Sequence, residues 1–289
     1  MRRVVITGGT GFIGRAVAQR LADAGVAHAA WGRGRCDVRD AESLRRALHE
    51  ARPTHVLHLA AAGIDPHTAR DPGVAVDNVR MAAALLEVLR GTDVTLLAAG
   101  SMAELGPTTG ERVDERAPCA PTSAYAIGKL AATQLLLHGA EGVRARVARL
   151  FGVYGPGEAP TRLFPSVVRA LDRGEELALS DGEQVRDFVH VEDAAHALVT
   201  LLFAEDVAPL VNVGTGHGIS VREAVLRVAR AAGGDLGLLR FGARPRNPTD
   251  ADRLVADTTL LERVLGAPLP TRLQGADLDA LVASLRGLP

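Results

Sequence analysis

The sequence predicts an α/β protein, a doubly wound parallel sheet with a smaller C-terminal substrate-binding lobe. Three observations lead there. Through the first 150 residues, short β-branched or apolar runs alternate with helix-length segments, the order that produces parallel strands covered on both faces. A glycine cluster, GGTGFIG, stands between the first such run and the first helix. Past Leu150 the alternation gives way to turn-rich sequence and shorter segments.

Taken in order, Arg3–Thr7 (RVVIT) is a strand, 14–25 (GRAVAQRLADAG) a helix, His28–Trp31 a second strand, 41–51 (AESLRRALHEA) a helix and 55–61 (HVLHLAA) a buried strand. Helices near 73–90 and 123–138 flank a strand at Val94–Ala98, and Val143–Leu150 is a strand again. The remainder places short strands at VNVG (211–214) and LVAD (254–257) and a helix at 221–233. Glycine and proline cluster at 152–160 and 242–248, where ligand loops are expected. There is no internal repeat.

Composition excludes several classes of function. The 289 residues are 47% hydrophobic and 23% charged, with a net charge of −1. Acids and arginines are spread evenly, so no basic block points to nucleic acid or to a membrane surface. No apolar run approaches the ~20 residues of a spanning helix. MRRVVITGG enters a strand at once and leaves no room for a signal peptide. Cys36 and Cys119 lack CxxC spacing, and a cytoplasmic location is expected. His55 and His58 flank one strand and would face opposite sides, unlike a pair of metal ligands; no metal is expected, and His190 reads as structural.

In the glycine cluster, Gly9, Gly11 and Gly14 read G-x-G-x-x-G, and Gly8, Gly11 and Gly14 fit G-x-x-G-x-x-G. Between a strand and a helix, such glycines let the backbone approach a pyrophosphate lying against the helix N-terminus. The end of the second strand decides which dinucleotide, because an acid there accepts the ribose 2′-hydroxyl and repels a 2′-phosphate. Here Gly32, Arg33, Gly34 and Arg35 come first, and the nearest carboxylate is Asp37. Arg33 or Arg35 could clamp a 2′-phosphate; the alternative is two solvated loop arginines. The reading is NADP, with NAD as the alternative.

Lys129 is the only lysine in a chain whose other basic residues are arginine, and Tyr125 is one of two tyrosines. Four apart in a helical segment, SAYAIGK, they share a face. An ammonium lowers a tyrosine pKa from about 10 toward working pH, which makes the phenol a proton donor to an alkoxide. Arginine's wide fork is a poor substitute for a compact ammonium.

Together TGGTGFIG, HLAA, Ser101 and YAIGK resemble an extended short-chain dehydrogenase/reductase, whose fold is Rossmann-type. The resemblance implies that Ser101, 24 residues before Tyr125, hydrogen-bonds the reacting oxygen. It implies cofactor contacts from Gly8, Gly11, Phe12, Ile13 and Gly14, from Asp37 and Val38, from Leu59, Ala60 and Ala61, and from Tyr125 and Lys129. RLFGVYGPG, RDFVHVEDAAHAL, VNVGTG and LVAD resemble the markers of sugar-nucleotide-modifying members. These nominate Arg186 for the substrate diphosphate and Asp250 for the nucleotide ribose. Two departures stand out. Sugar-nucleotide 4,6-dehydratases resemble T-D-E where this chain has Ser101-Met102-Ala103, so the elimination acids are missing. Gly152 stands where many relatives have asparagine in R-x-F-N, and Arg162 or another donor is expected to compensate.

The expected division is a dinucleotide-binding domain over 1–154, with 187–213 returning to it, and a sugar-nucleotide-binding lobe over 155–186 and 214–289. The expected activity is NADP-dependent reduction of the C4 keto group of a nucleotide-linked 4-keto-6-deoxyhexose. Tyr125 would protonate the oxygen, Ser101 polarise the carbonyl, and Lys129 bind the nicotinamide ribose and tune Tyr125. The alternatives are a sugar-nucleotide 4-epimerase with retained NAD and a non-catalytic NADP-binding regulatory protein. The alanine- and leucine-rich helices at 73–90 and 123–138 resemble those that pair as a four-helix bundle in the family, so a homodimer is expected.

Overall fold

Strand β1, Arg3–Thr7, is buried over its last four residues, as a strand covered on both faces must be. The structure, a computed structural model, describes residues 2–64 and 68–287. Residues 1, 65–67 and 288–289, which the expected spans 1–154 and 214–289 include, lie outside the described residues. After β1 come α1 (Phe12–Asp23), β2 (Ala27–Trp31), α2 (Ala41–Ala51), β3 (His55–His58), α3 (Pro72–Leu89), β4 (Thr95–Ser101), α4 (Ala124–His138) and β5 (Arg144–Leu150). The second half runs β6 (Gly152–Tyr154), α5 (Leu163–Arg173), β7 (Leu177–Leu179), β8 (Val185–His190), α6 (Val191–Phe203) and β9 (Leu210–Val213). It ends with β10 (Gly218–Ser220), α7 (Val221–Ala232), β11 (Leu239–Phe241), β12 (Arg253–Leu254), α8 (Thr259–Leu265) and α9 (Gly275–Arg286).

Six strands form one sheet in the order β2-β1-β3-β4-β5-β9, with every neighbouring pair parallel. Alternate residues of β1 serve opposite faces: Val4 and Ile6 enter the core with α1 and α6, and Val5 enters the core with α2 and α3. The chain leaves β1 for β2 on one side and returns for β3 on the other. The carboxyl ends of β1 and β3 therefore flank the crevice where doubly wound sheets bind ligands.

The helices begin where their caps dictate. Asp71 accepts from Gly73 N ahead of α3, with Pro72 opening the helix. Ser123 accepts from Ala126 N ahead of α4, which sets the register of Tyr125 and Lys129.

The smaller lobe has its own core, in which Tyr154, Phe164 and Val167 meet Val225, Val228 and Leu281. Strand β8 lies between β10 and β12 and also pairs with β6, while β7 and β11 form a separate ribbon. The strand expected at LVAD is confined to Arg253–Leu254, because the following residues bridge to the loop at Val113 instead: Val113 N donates to Val255 O at 2.9 Å. Among the described residues no helix is long and apolar enough to cross a membrane, and no group of three or more His, Cys, Asp or Glu could hold a metal.

Candidate active site

The loop after β1 is shaped by what its glycines leave out. Gly8 sits at φ +71°, and a β-carbon there would lie 2.6 Å from Ala60 N. One on Gly14 would lie 2.3 Å from the Gly8 carbonyl oxygen. The loop thus lies flat against β3 and the start of α1. No side chain caps α1, so its first-turn N–H groups are left for a ligand. This cradle opens on a cleft of about 580 Å³ walled by Gly8, Gly11, Arg33, Asp37, Val38, Leu59, Ala60 and Ala61. Phe12, Ile13 and Gly14 form the first turn of α1 behind that wall. The flat glycine backbone and uncapped helix start fit a dinucleotide pyrophosphate.

Two arginines at the end of β2 differ from expectation. Arg35 does not line the cleft; its Nη2 binds Glu50 at 2.5 Å and its guanidinium leans over Trp31. Arg39, which the sequence reading passed over, does line it. Its Nε and Nη2 donate to both oxygens of Asp37 at 2.9 and 2.8 Å, and Nη1 donates to Asp77 at 2.9 Å. These bonds hold the Asp37 carboxyl down at about 2. The signal was present in the DVRD run, where side chains two apart outside a helix can share one side.

Ser101, Tyr125 and Lys129 come together past the carboxyl end of β4. Ser101 ends that strand and caps a 3₁₀ turn, Met102–Glu104, accepting from Ala103 N at 3.2 Å. Tyr125 lies in the first turn of α4, and its phenol is near enough to the Ser101 hydroxyl to be stabilised by it. One turn on, Lys129 Nζ donates to Ala99 O at 2.5 Å, and its side chain is buried. Gly128 permits this placement: a β-carbon there would lie 2.5 Å from Ala75 Cα, so α4 presses directly on α3.

The electrostatics correct one expectation. Burial pushes the Tyr125 phenol above its ordinary value, helped by Glu104 and opposed by the Ser101 hydroxyl, so the ammonium does not pull it toward neutrality. Burial likewise pushes Lys129 down, and Glu104 opposes this. His58, buried and bonded to Thr7 Oγ1 at 2.7 Å, is held at about 3 by burial and by the nearby Lys129 charge. It is therefore a neutral ring at working pH.

Beneath Ser101 lies a pair that the sequence reading missed. Glu104 is fully buried, and its Oε1 accepts from Ser101 N at 2.7 Å and from the Thr133 hydroxyl at 3.1 Å. Arg149, equally buried, meets its Oε2 through Nε at 3.3 Å. Thr133 follows Lys129 by one helical turn, so one carboxylate ties Ser101 to the helix carrying Tyr125 and Lys129. The S-x-x-E run at 101–104 is the capping-box signature and was the available signal.

A second cleft, of about 500 Å³, is walled by Met102, Tyr154, Glu158, Arg162, Arg186 and Asp250, among others. Arg186 and Asp250 are brought together, Nη2 to Oδ1 at 2.5 Å. Arg162 Nε faces Glu158 Oε1 at 3.4 Å. At Gly152 a β-carbon would lie 2.8 Å from Asp187 O, so the asparagine of relatives would need the backbone to shift. Asp187 accepts from Thr215 N and Oγ1, Gly216 N and Ala256 N, which fixes β8 against the loop after β9. Arg15 ties the glycine loop to the loop after β6, donating to Thr10 O at 2.8 Å and to Gly157 O at 3.1 Å.

Residues 4–214 match the family described as NAD dependent epimerase/dehydratase, and the chain belongs to that family, in its sugar-nucleotide-modifying branch of extended short-chain dehydrogenases/reductases. Among relatives, a GDP-6-deoxy-D-mannose reductase of Pseudomonas aeruginosa is 30% identical over 85% of each chain. A UDP-glucose 4-epimerase of Thermus thermophilus, solved with NAD, superposes with a TM-score of 0.87 at 31% identity, covering 99% of both chains. RMD of Pseudomonas aeruginosa, solved with NADPH, superposes with a TM-score of 0.86 at 28% identity over 99% of both. The fold is thus Rossmann-type with a mostly parallel sheet, and an NAD(P) cofactor is supported.

Proposed function

We propose that the protein reduces the C4 keto group of a nucleotide-linked 4-keto-6-deoxyhexose, with NADP(H) as its cofactor. The observation that carries this reading is the meeting of Ser101, Tyr125 and Lys129 past the carboxyl end of β4, in a chain that also has one cleft at the glycine loop and a second lined by Arg162 and Arg186. A dinucleotide held by the first cleft would supply hydride from its nicotinamide. Ser101 Oγ polarises the carbonyl, and Tyr125 gives its proton to the oxygen. The phenol is well suited to that role, since burial keeps it protonated through neutral pH. Lys129, anchored on Ala99 O, holds the cofactor ribose. Met102 and Ala103 offer no carboxyl for water elimination, which separates the chain from dehydratases.

The second reading is a 4-epimerase with retained NAD, and the ionised Asp37 in the cleft wall favours it. Incubation with nucleotide 4-keto sugars, followed by NADPH absorbance, separates the two. Stoichiometric loss of NADPH marks the reductase; sugar isomers without net loss mark the epimerase. If neither occurs although NADP binds, the protein is a non-catalytic binder.

Cofactor choice follows from the corrected wall. Replacing Arg33 and Arg39 with alanine is expected to weaken NADPH at least about tenfold more than NADH, since only the former carries a 2′-phosphate. Arg35→Ala should leave the ratio unchanged. A wild-type preference for NADH would assign the ribose to Asp37.

The lobe division at 1–154 with 187–213, against 155–186 with 214–289, is supported by β9 lying in the large sheet and by the separate core of the smaller lobe. A homodimer through α3 and α4 is supported by two exposed apolar side chains, Val76 at 48% and Ile127 at 51% exposure, on those helices. Light scattering should give twice the 30.2 kDa chain mass for wild type and a monomer for Ile127→Glu. A wild-type monomer refutes the bundle.

A further inference from the structure

Lys129 and Glu104 are both buried, and a charge in such a place is costly unless another answers it. The ammonium of Lys129 donates to Ala99 O, a neutral partner that leaves its charge unbalanced. Glu104 ends the turn that follows Ser101. Its Oε1 accepts from Ser101 N at 2.7 Å and from the Thr133 hydroxyl at 3.1 Å, and its Oε2 meets Arg149 Nε at 3.3 Å. Ser101 N and Arg149 Nε can only donate, one to each carboxyl oxygen, so the ionised form is the one these contacts fit. Burial pushes the carboxyl up, and the charges of Arg149 and Lys129 oppose it, together with the Ser101 and Thr133 hydrogen bonds.

The bond to Thr133 decides where this carboxylate stands. Thr133 lies one helical turn beyond Lys129 and shares its face of α4. A carboxylate bonded there stands beside the lysine, and in the interior an opposite charge is worth far more than in water. Among the described residues, Glu104 is the carboxylate whose charge reaches Lys129. The other titratable neighbours do not replace it. Tyr125 shares the face of α4 but stays protonated, and Arg162 acts on it; His58 on β3 is a neutral ring. Arg149 on β5 is a second cation, with the Cys119 thiol 3.8 Å beyond it.

We propose that Glu104 is a positioning residue of the candidate site: it is the buried counter-charge of the Lys129 ammonium, and the same carboxylate fixes Ser101 to the face of α4 that carries this lysine. This rests on the reading that Ser101, Tyr125 and Lys129 form the site, and is indifferent to whether the reaction is reduction or epimerisation.

A chain with one lysine lets the charge be read directly. Protein grown with isotope-labelled lysine carries a single Cε signal, whose position reports ammonium or amine through a pH titration. Wild type is expected to hold the ammonium through neutral pH; an amine at pH 7 overturns the proposal without any variant. Glu104→Gln keeps an acceptor for Ser101 N and Thr133 but removes the charge. Burial already disfavours the ammonium and the carboxylate opposes burial, so the Lys129 midpoint should fall. The expected fall is at least about one pH unit, a tenfold change in the ratio of ammonium to amine. Because this variant strands Arg149, Glu104→Gln combined with Arg149→Met is measured beside it, and the same fall is expected. A midpoint unmoved in a variant that circular dichroism shows to be folded makes Glu104 a merely structural carboxylate and overturns the proposal. If wild type turns over no nucleotide 4-keto sugar, the proposed activity fails, while the lysine titration still decides the role of Glu104.

Discussion

Tyr125→Phe is expected to lower turnover by roughly 10²- to 10⁴-fold, the usual contribution of a positioned general acid, while leaving cofactor affinity intact. Only the hydroxyl is removed, and the ring stays in the first turn of α4. Lys129→Arg should cost at least about tenfold although it keeps the charge, because a guanidinium cannot take the ammonium's buried place against Ala99 O. Titration adds a sign. The phenol stands above its ordinary value, so reduction should proceed at a steady rate through neutral pH and fall as pH rises through the phenol's value. Oxidation of the alcohol needs the phenolate and should rise over the same interval. Near-native turnover in Lys129→Arg, or loss of cofactor binding in Tyr125→Phe, would sink the assigned roles.

The second large effect is on stability. Arg149→Leu leaves Glu104 buried with its principal counter-charge gone, and removing one partner of a buried pair costs about 3–5 kcal/mol. Glu104→Leu alone should do comparable harm by stranding Arg149. The double replacement should recover much of the loss, since apolar pairs of similar volume often replace buried ion pairs without penalty. Urea unfolding of the four proteins measures this. Single variants as stable as wild type would show that the pair holds nothing together. In a stable double variant, reduced turnover would report the lost grip of Glu104 on Ser101 and Thr133.

Much of the first half could be read from sequence because each element there carries its own signal. Strands β1, β3, β4 and β5 are short apolar runs, and α2, α3 and α4 start at Asp or Ser caps. Tyr125 and Lys129 were conspicuous by rarity. The second half was harder to read: β7, β10 and β11 have three residues each, too few for a period to show. Side-chain direction was also hidden. Arg33, Arg35 and Arg39 look alike in sequence, and only the position of Glu50 and Asp77 decides which of them faces the cleft. Glu104 reads in sequence as one more surface carboxylate, and only the 3₁₀ turn after Ser101 folds it inward onto Ser101 N.

A chain with a single lysine, and that one enclosed beneath α4, has an unusual surface chemistry. Every basic side chain it shows apart from histidine is a guanidinium, so amine-directed chemistry meets the terminal α-amino group and little else. Reductive methylation with isotope-labelled formaldehyde would therefore introduce one backbone reporter and, only when α4 separates from β4, one more at Lys129. The growth of that second resonance would time the opening of the candidate site without a single engineered label.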